Sequence, residues 1–279
     1  MKKIDVVVVG GSAAGITASL TAKIHYPEKE VLLIRKEKKV LIPCGIPYIF
    51  GTVGSPEKNL IPDAILEKNG IQVLIDEVKS VDRDKKELST ASGEKIGYDR
   101  LILATGSVPA VPPIPGIDKE NIFVAKKDVD YLQRFLETLK EIQDLVIVGG
   151  GFIGVEFADE CRKNPKLNVS IIEMLPHCLM LSGFDEDFCS GAEGILSQNG
   201  VKVLTNERVE SFTGDKKVTG VKLASGKELK ADAVLVAIGV RPNIQLAKEA
   251  GLEMGATGAI KVNNHMRTCL LYTSPSPRD

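Results

Sequence analysis

The chain has 279 residues, 43% of them hydrophobic, and 36 Lys and Arg against 37 Asp and Glu leave a formal net charge of −1. The length and apolar content suffice for one large domain or two ordinary ones, and the balanced charge argues against nucleic acid as a partner. No apolar run approaches the roughly 18 residues of a membrane span, and five scattered cysteines without a CxxC pair fit a reducing cytoplasm better than a disulfide framework or a zinc site.

The first element is "IDVVVVGGSAAGITASLTA": a β-branched run, a glycine cluster, then a helix-like stretch. This pattern predicts a strand, a tight turn and a helix whose first backbone N–H groups face a pyrophosphate. Gly10 and Gly15 fit the GxGxxG spacing, and Ser12 stands at its middle glycine. The next predicted strand, "VLLIRKE", places Arg35 where an acidic ribose ligand is expected, with Glu37 the nearest acid. Then comes "KVLIPCGIPYIFG", Lys39 to Gly51, with one cysteine, Cys44, between Pro43 and Pro47. The residues alone leave two readings open: a buried inert thiol, the commoner fate of a free cysteine, or a reactive sulfur held by a proline-stiffened loop. Residues around 71–88, followed by the Gly turn "ASGEK", read as a small antiparallel meander. The strand "YDRLILATG" ends the first unit at Gly106, and the four prolines of "ATGSVPAVPPIPG" read as an ordered crossover.

The pattern then repeats. "DLVIVGGGFIGVEFADE" carries Gly149, Gly151 and Gly154 in full GxGxxG spacing, and "NVSIIE" ends on Glu173. An acid there can accept from both hydroxyls of an adenosine ribose and repels a 2′-phosphate, which points to NADH. A second meander is expected within residues 201–229, and "ADAVLVAIG" closes the unit at Gly239. Gly106 lies 96 residues after Gly10, and Gly239 lies 90 after Gly149. Start and end signals recurring in order predict two homologous nucleotide-binding units, an α/β fold.

Taken together, GGSAAG, PCGIPY, ATGS-P, GGGFIGVE and AIGVRPN resemble the FAD-dependent pyridine nucleotide–disulfide oxidoreductases. Within them the set is most similar to the single-cysteine branch, which holds coenzyme A disulfide reductases, NADH oxidases and NADH peroxidases. The resemblance implies two Rossmann-like domains of the three-layer ββα type, with FAD in the first and NADH in the second. It implies that Gly10, Ser12, Ala14, Gly15, Glu37, Ala104, Thr105 and Gly106 serve FAD. It likewise implies that Gly149, Gly151, Ile153, Gly154, Glu156, Glu173 and Gly239 serve NADH, with Glu156 on the nicotinamide side. Cys44 becomes the redox sulfur near the flavin, at a helix start, and Gly45 allows a close backbone approach. Peroxidases and many oxidases of this family carry a histidine in the first glycine loop; Ala13 stands there instead. The expected activity is therefore NADH-dependent reduction of a small disulfide, coenzyme A disulfide or polysulfide. An NADH oxidase and a non-catalytic nicotinamide-binding redox sensor are the alternatives. No metal is expected.

The expected organisation is an FAD domain over 1–115, an NADH domain over 116–240 and a return toward the FAD domain over 241–268. Residues 269–279, ending "SPSPRD", read as a foreign or disordered tail. Relatives are homodimers with a C-terminal dimerisation domain and a Gly-Asp pair on the FAD ribitol. Neither feature follows Thr268, so this polypeptide is expected to bind FAD poorly and not to dimerise as they do.

Overall fold

The computed structural model describes residues 2–269, so the tail reading falls, beyond Cys269, outside the described residues. The chain divides into two compact units. The first holds residues 2–40, 61–108 and 242–269; the second holds 41–60 and 109–241.

The first unit begins with β1 (Lys2–Val9), α1 (Ala13–His25) and β2 (Val31–Arg35). It continues with β3 (Gln72–Ile75), β4 (Val78–Asp82), β5 (Glu87–Thr90) and β6 (Lys95–Leu103). These strands form one sheet in the order β3-β2-β1-β6-β5-β4. The pairs β3–β2, β2–β1 and β1–β6 are parallel, while β6–β5 and β5–β4 are antiparallel. All five residues of β2 are buried, as a parallel strand covered on both faces requires. Ile4, Val7 and Val9 of β1 pack with Leu32, Ile34, Leu88 and Ile96 on one side, and Val8 packs with Ile16, Val31 and Leu33 on the other. The meander expected over 71–88 begins later than anticipated, because Gln72–Ile75 is the third parallel strand; a short run of alternating residues does not reveal its pairing direction.

The second unit repeats the plan. Its elements are β7 (Ile122–Val124), α2 (Val129–Glu141), β8 (Asp144–Val148), α3 (Phe152–Arg162), β9 (Asn168–Ile172), α4 (Glu186–Gln198) and β10 (Val201–Leu204). The strands β11 (Val209–Thr213), β12 (Gly220–Leu223) and β13 (Glu228–Lys230) then form a separate antiparallel sheet, and β14 (Ala233–Val236) returns to the main one. The main sheet runs β7-β14-β8-β9-β10, all parallel. The block β10-β9-β8-β14 matches β3-β2-β1-β6 strand for strand, so the duplication read in the sequence is a duplication of topology. In the first unit the nine-residue β6 is long enough to pair with β1 and with the meander; in the second, β13 and β14 share that role and the meander separates.

One boundary differs from the sequence expectation. Residues 41–60 belong to the second unit, not to a first domain running to 115. Leu41, Ile46, Ile49 and Phe50 sit in the same core as Phe135, Phe157, Leu145 and Ile147. The Phe50 ring lies 4.8 Å from Phe135 and 5.2 Å from Phe157, centroid to centroid. Apolar burial of this kind outweighs continuity along the chain.

Candidate functional site

The two glycine turns share one geometry. Gly10 and Gly149 follow β1 and β8 with φ of +114° and +108°, a backbone that L side chains resist. Each donates its N–H, at 2.8 Å, to a carbonyl near the end of the neighbouring strand: Gly10 to Ile34 O, Gly149 to Ile172 O. A Cβ on Gly10 would strike the carbonyl of Ala104, and one on Gly149 that of Ala237. A Cβ on Gly15 or Gly154 would strike the carbonyl of Gly10 or Gly149. These four glycines are demanded by the chain's own packing.

Gly151 is different. Its φ is −74°, which any residue adopts, and an added Cβ would meet nothing within 4 Å. Neither conformation nor packing asks for glycine there. The space it leaves sits at the N-terminus of α3, where the N–H groups of Phe152, Ile153 and Gly154 have no intrahelical acceptor. No side chain caps that end and no acidic residue lies in its first turn. A pyrophosphate fits this cradle. The start of α1 has the same character: Ser12 is the N-cap, its side chain makes no cap hydrogen bond, and the first turn, with Ala14 and Gly15, has no acid.

The residue next after Ile34 in one unit and after Ile172 in the other, the two carbonyls that accept from the glycine turns, separates the two sites. Glu173, 8% exposed, accepts from the Gly150 N–H at 2.6 Å through Oε2 and from the Leu175 N–H at 2.8 Å through Oε1. Its carboxylate is thus fixed at the turn with lone pairs left for ribose hydroxyls. Arg35 takes the equivalent place in the first unit, 2% exposed. Its guanidinium pairs bidentately with Asp63, at 2.7 and 2.6 Å, and its Nε donates to the carbonyl of Glu37 at 2.9 Å. Arg35 therefore spends its charge within the unit. Glu37 lines a cleft of about 320 Å³ together with Gly10, Asp76, Lys79, Thr105 and Asn243. Hydrogen bonds from Ser92 and then Thr90 pull Asp76 down to about 2. Asn243, which the sequence reading did not single out, accepts from Thr105 Oγ1 at 2.6 Å and donates its N–H to Gly106 O at 2.9 Å. The cleft brings Gly10, Glu37 and Thr105 together and fits the adenosine end of a dinucleotide; Gly106 adjoins it through Asn243.

In the second unit Gly239 occupies the turn after β14, matching Gly106 after β6. Glu156 is exposed on α3, and partial desolvation raises its carboxyl above the ordinary value. The loop after Glu173 closes on the glycine turn: Leu179 N–H donates to Gly150 O at 2.8 Å. The backbone N–H of Cys178 donates to Glu193 at 2.7 Å, and His177 Nδ1 lies 3.2 Å from the same carboxylate. Cys178 is a packing residue there, its thiol pushed up to about 12, chiefly by burial.

Cys44 sits in the single 3-10 turn Pro43–Gly45, which a second turn, Pro47–Phe50, follows. The helix start expected for it is this short turn, too brief to carry an appreciable dipole. Its thiol is exposed, whereas Cys161, Cys178 and Cys189 are buried and Cys269 is half-buried. Gly45 has a different reason from the one anticipated. A Cβ there would run into the amide of Asn59, which is 5% exposed and donates through Nδ2 to Ile42 O at 3.0 Å. Ile42 N–H in turn donates to Asn59 O at 2.9 Å. Among the described residues no group of three or more His, Cys, Asp or Glu could hold a metal ion, and no helix is long and apolar enough to cross a membrane.

Comparison with known proteins agrees with this geometry. The family model described as pyridine nucleotide-disulphide oxidoreductase matches residues 4–271. The chain is 35% identical over 275 residues to the NAD(P)H coenzyme A polysulfide/persulfide reductase of Pyrococcus horikoshii, covering 96% of itself and 60% of that protein. It is 32% identical to the NADH oxidase of Methanocaldococcus jannaschii, covering 95% of itself and 60% of that protein. Among solved structures, a NAD-dependent persulfide reductase from A. fulgidus aligns with a TM-score of 0.88 at 33% identity, over 95% of this chain and 51% of that one. The chain thus spans about 60% of the length of these curated relatives.

Proposed function

The chain belongs to the pyridine nucleotide-disulphide oxidoreductase family, and from that premise we propose that it is the nucleotide-binding portion of an NADH-dependent flavoprotein reducing a small disulfide or polysulfide through Cys44. The observation that carries the reading is the contrast among the cysteines: Cys44 alone among the described ones is exposed, on a turn fixed from both sides.

Gly149, Gly151, Ile153 and Gly154 would hold the NADH pyrophosphate, and Glu173 the adenosine ribose. Gly10, Ser12, Ala14 and Gly15 would hold that of FAD, with Glu37, Ala104, Thr105 and Gly106 around the cleft. FAD, when bound, carries two electrons from NADH toward sulfur. Cys44 performs the sulfur chemistry. Its thiolate attacks one sulfur of the disulfide, the other sulfur leaves as a thiol, and a mixed disulfide with Cys44 remains. Two electrons originating from NADH cleave that bond, release the second thiol and restore the Cys44 thiolate. Glu156 is the acid we place on the nicotinamide side. A small-molecule disulfide is the partner, and a cytoplasmic location suits a free thiol of this kind.

The test is a spectrum with added FAD before and after anaerobic NADH, followed by turnover with coenzyme A disulfide. NADH is expected to bleach the flavin. Cys44→Ser should keep the bleaching and the slow consumption of NADH by oxygen while losing disulfide reduction. Disulfide reduction surviving in Cys44→Ser refutes the sulfur role. NADH binding without bleaching, in protein whose flavin is shown to be bound by its spectrum after gel filtration, favours the redox sensor. The oxidase reading, supported by the likeness to an NADH oxidase, predicts oxygen turnover unchanged by that substitution and negligible disulfide turnover in the unaltered protein.

A further inference from the structure

Glu160 is a buried carboxylate that the chemistry above does not use. It lies on α3, is 3% exposed, and faces the end of the cysteine segment, 108 residues away along the chain. Thr52 donates its backbone N–H to Glu160 Oε2 at 2.8 Å and its hydroxyl to the same oxygen at 2.9 Å. Lys163, one helical turn on, donates to Oε1 at 2.6 Å and to the Thr52 hydroxyl at 2.8 Å. Gly51 lies so close that a Cβ would strike the Glu160 carbonyl. Burial works to raise this carboxyl, and the bonds from Lys163 and Thr52 outweigh it.

A buried charge is costly unless its hydrogen bonds are supplied. Two of the bonds supplied here come from the segment that carries Cys44. That segment is stiff between the two points. Gly45 N–H donates to Ile42 O, Ile46 N–H to Pro43 O, Ile49 N–H to Ile46 O, and both Gly51 and Val53 N–H groups to Tyr48 O. Consecutive 3-10 turns thus connect Thr52 to Cys44, with Ile49 fully buried between them. Asn59 pins the other end.

We propose that Glu160 is a positioning residue for Cys44: its carboxylate latches Thr52, and so fixes the turn that presents the reactive sulfur. The inference rests on the sulfur role proposed for Cys44, but its test reads thiol chemistry and backbone exchange without turnover, so either idea can fail alone. The variants are Glu160→Ala, Glu160→Gln, which keeps an acceptor for the Thr52 N–H, and Thr52→Val, which removes the hydroxyl from the opposite side. Amide hydrogen exchange and the rate and pH profile of Cys44 alkylation by iodoacetamide, mapped by peptide mass, are measured in the full chain. Glu160→Ala should speed exchange across residues 44–54 by about tenfold, the scale set by losing hydrogen bonds to a charged group. It should also shift the Cys44 rate–pH curve, while β8 and β9 exchange as before. Glu160→Gln should recover part of both effects. If Glu160→Ala does not fold, Thr52→Val is expected to give the same local pattern at smaller size. Exchange rising evenly through the second unit, or a Cys44 rate–pH curve identical to that of the unaltered protein, would overturn the proposal.

Discussion

The two glycine turns are the same backbone with different side chains at the point of recognition. Each ends a central strand at a glycine of positive φ, and each packs its third glycine on the carbonyl of its first. Yet the residue at the end of the neighbouring strand, equivalent by register, is Glu173 in one and Arg35 in the other, and the N-cap is Gly151 in one and Ser12 in the other. The residues that build the turn are those with no steric freedom. The residues that differ between the turns are either free of steric demand, as Gly151 is, or tied to partners of their own, as Arg35 is to Asp63 and Glu173 to the Gly150 and Leu175 N–H groups.

Substituting the shared glycines should have the largest effect. Gly154→Ala and Gly15→Ala each force a Cβ into a backbone carbonyl that cannot yield, so each should cost about 3 kcal/mol or more. Thermal unfolding should show the loss in both units, and a Gly154→Ala protein of unaltered Tm would refute the shared geometry.

Next comes the arginine unique to the first site. Asp63→Ala removes the bidentate partner of a guanidinium whose side chain is 1% exposed. The expected loss is about 2 kcal/mol, below the full cost of orphaning a buried charge because the Asp63 side chain is 38% exposed and the solvent it meets can reach the gap. Denaturant unfolding at two ionic strengths measures it. An Asp63→Ala protein as stable as the parent would mean that Arg35 does not depend on this partner.

The third substitution sharpens the contrast between sterics and recognition. Gly151→Ala meets no atom within 4 Å and should change stability by less than about 0.5 kcal/mol. It should nonetheless weaken NADH binding by about tenfold, because a methyl group would enter the space at the α3 N-terminus. Titration calorimetry decides; unchanged affinity removes the pyrophosphate from that turn. Glu173→Gln should have a smaller effect on NADH, within about tenfold, since the amide oxygen still accepts one of the two backbone N–H bonds. Its diagnostic is a narrowed preference for NADH over NADPH, the negative charge that repels a 2′-phosphate being gone.

The smallest expected effect is none. Cys178, with its thiol near 12, should remain unlabelled by iodoacetamide at pH 8 while exposed Cys44 reacts. Labelling of Cys178 at a comparable rate would contradict its burial against the second glycine turn.

Much of this was legible because it is local. A valine run followed by glycines at set spacing specifies its own strand, turn and helix, and the recurrence of the pattern specifies the second unit. Cys44 was legible as unusual, though not its setting. Sequence order suggests the first unit for segment 41–60; the aromatic packing of Phe50 with Phe135 and Phe157 places it in the second. Gly45 reads from the sequence as a point of close backbone approach, and what approaches it in the structure is the amide of Asn59.

The two glycine turns, the order of their elements and the unusual sequence setting of Cys44 can all be read along the chain, because each follows from residues within about one strand and one helix of each other. What surrounds them emerges on folding: Asp63 on Arg35, Asn243 on Thr105, Asn59 beneath Gly45 and Glu160 on Thr52. These partners are joined by burial and charge compensation across long stretches of chain. Such pairings follow from which surfaces pack together, and one-dimensional spacing carries no signal of that.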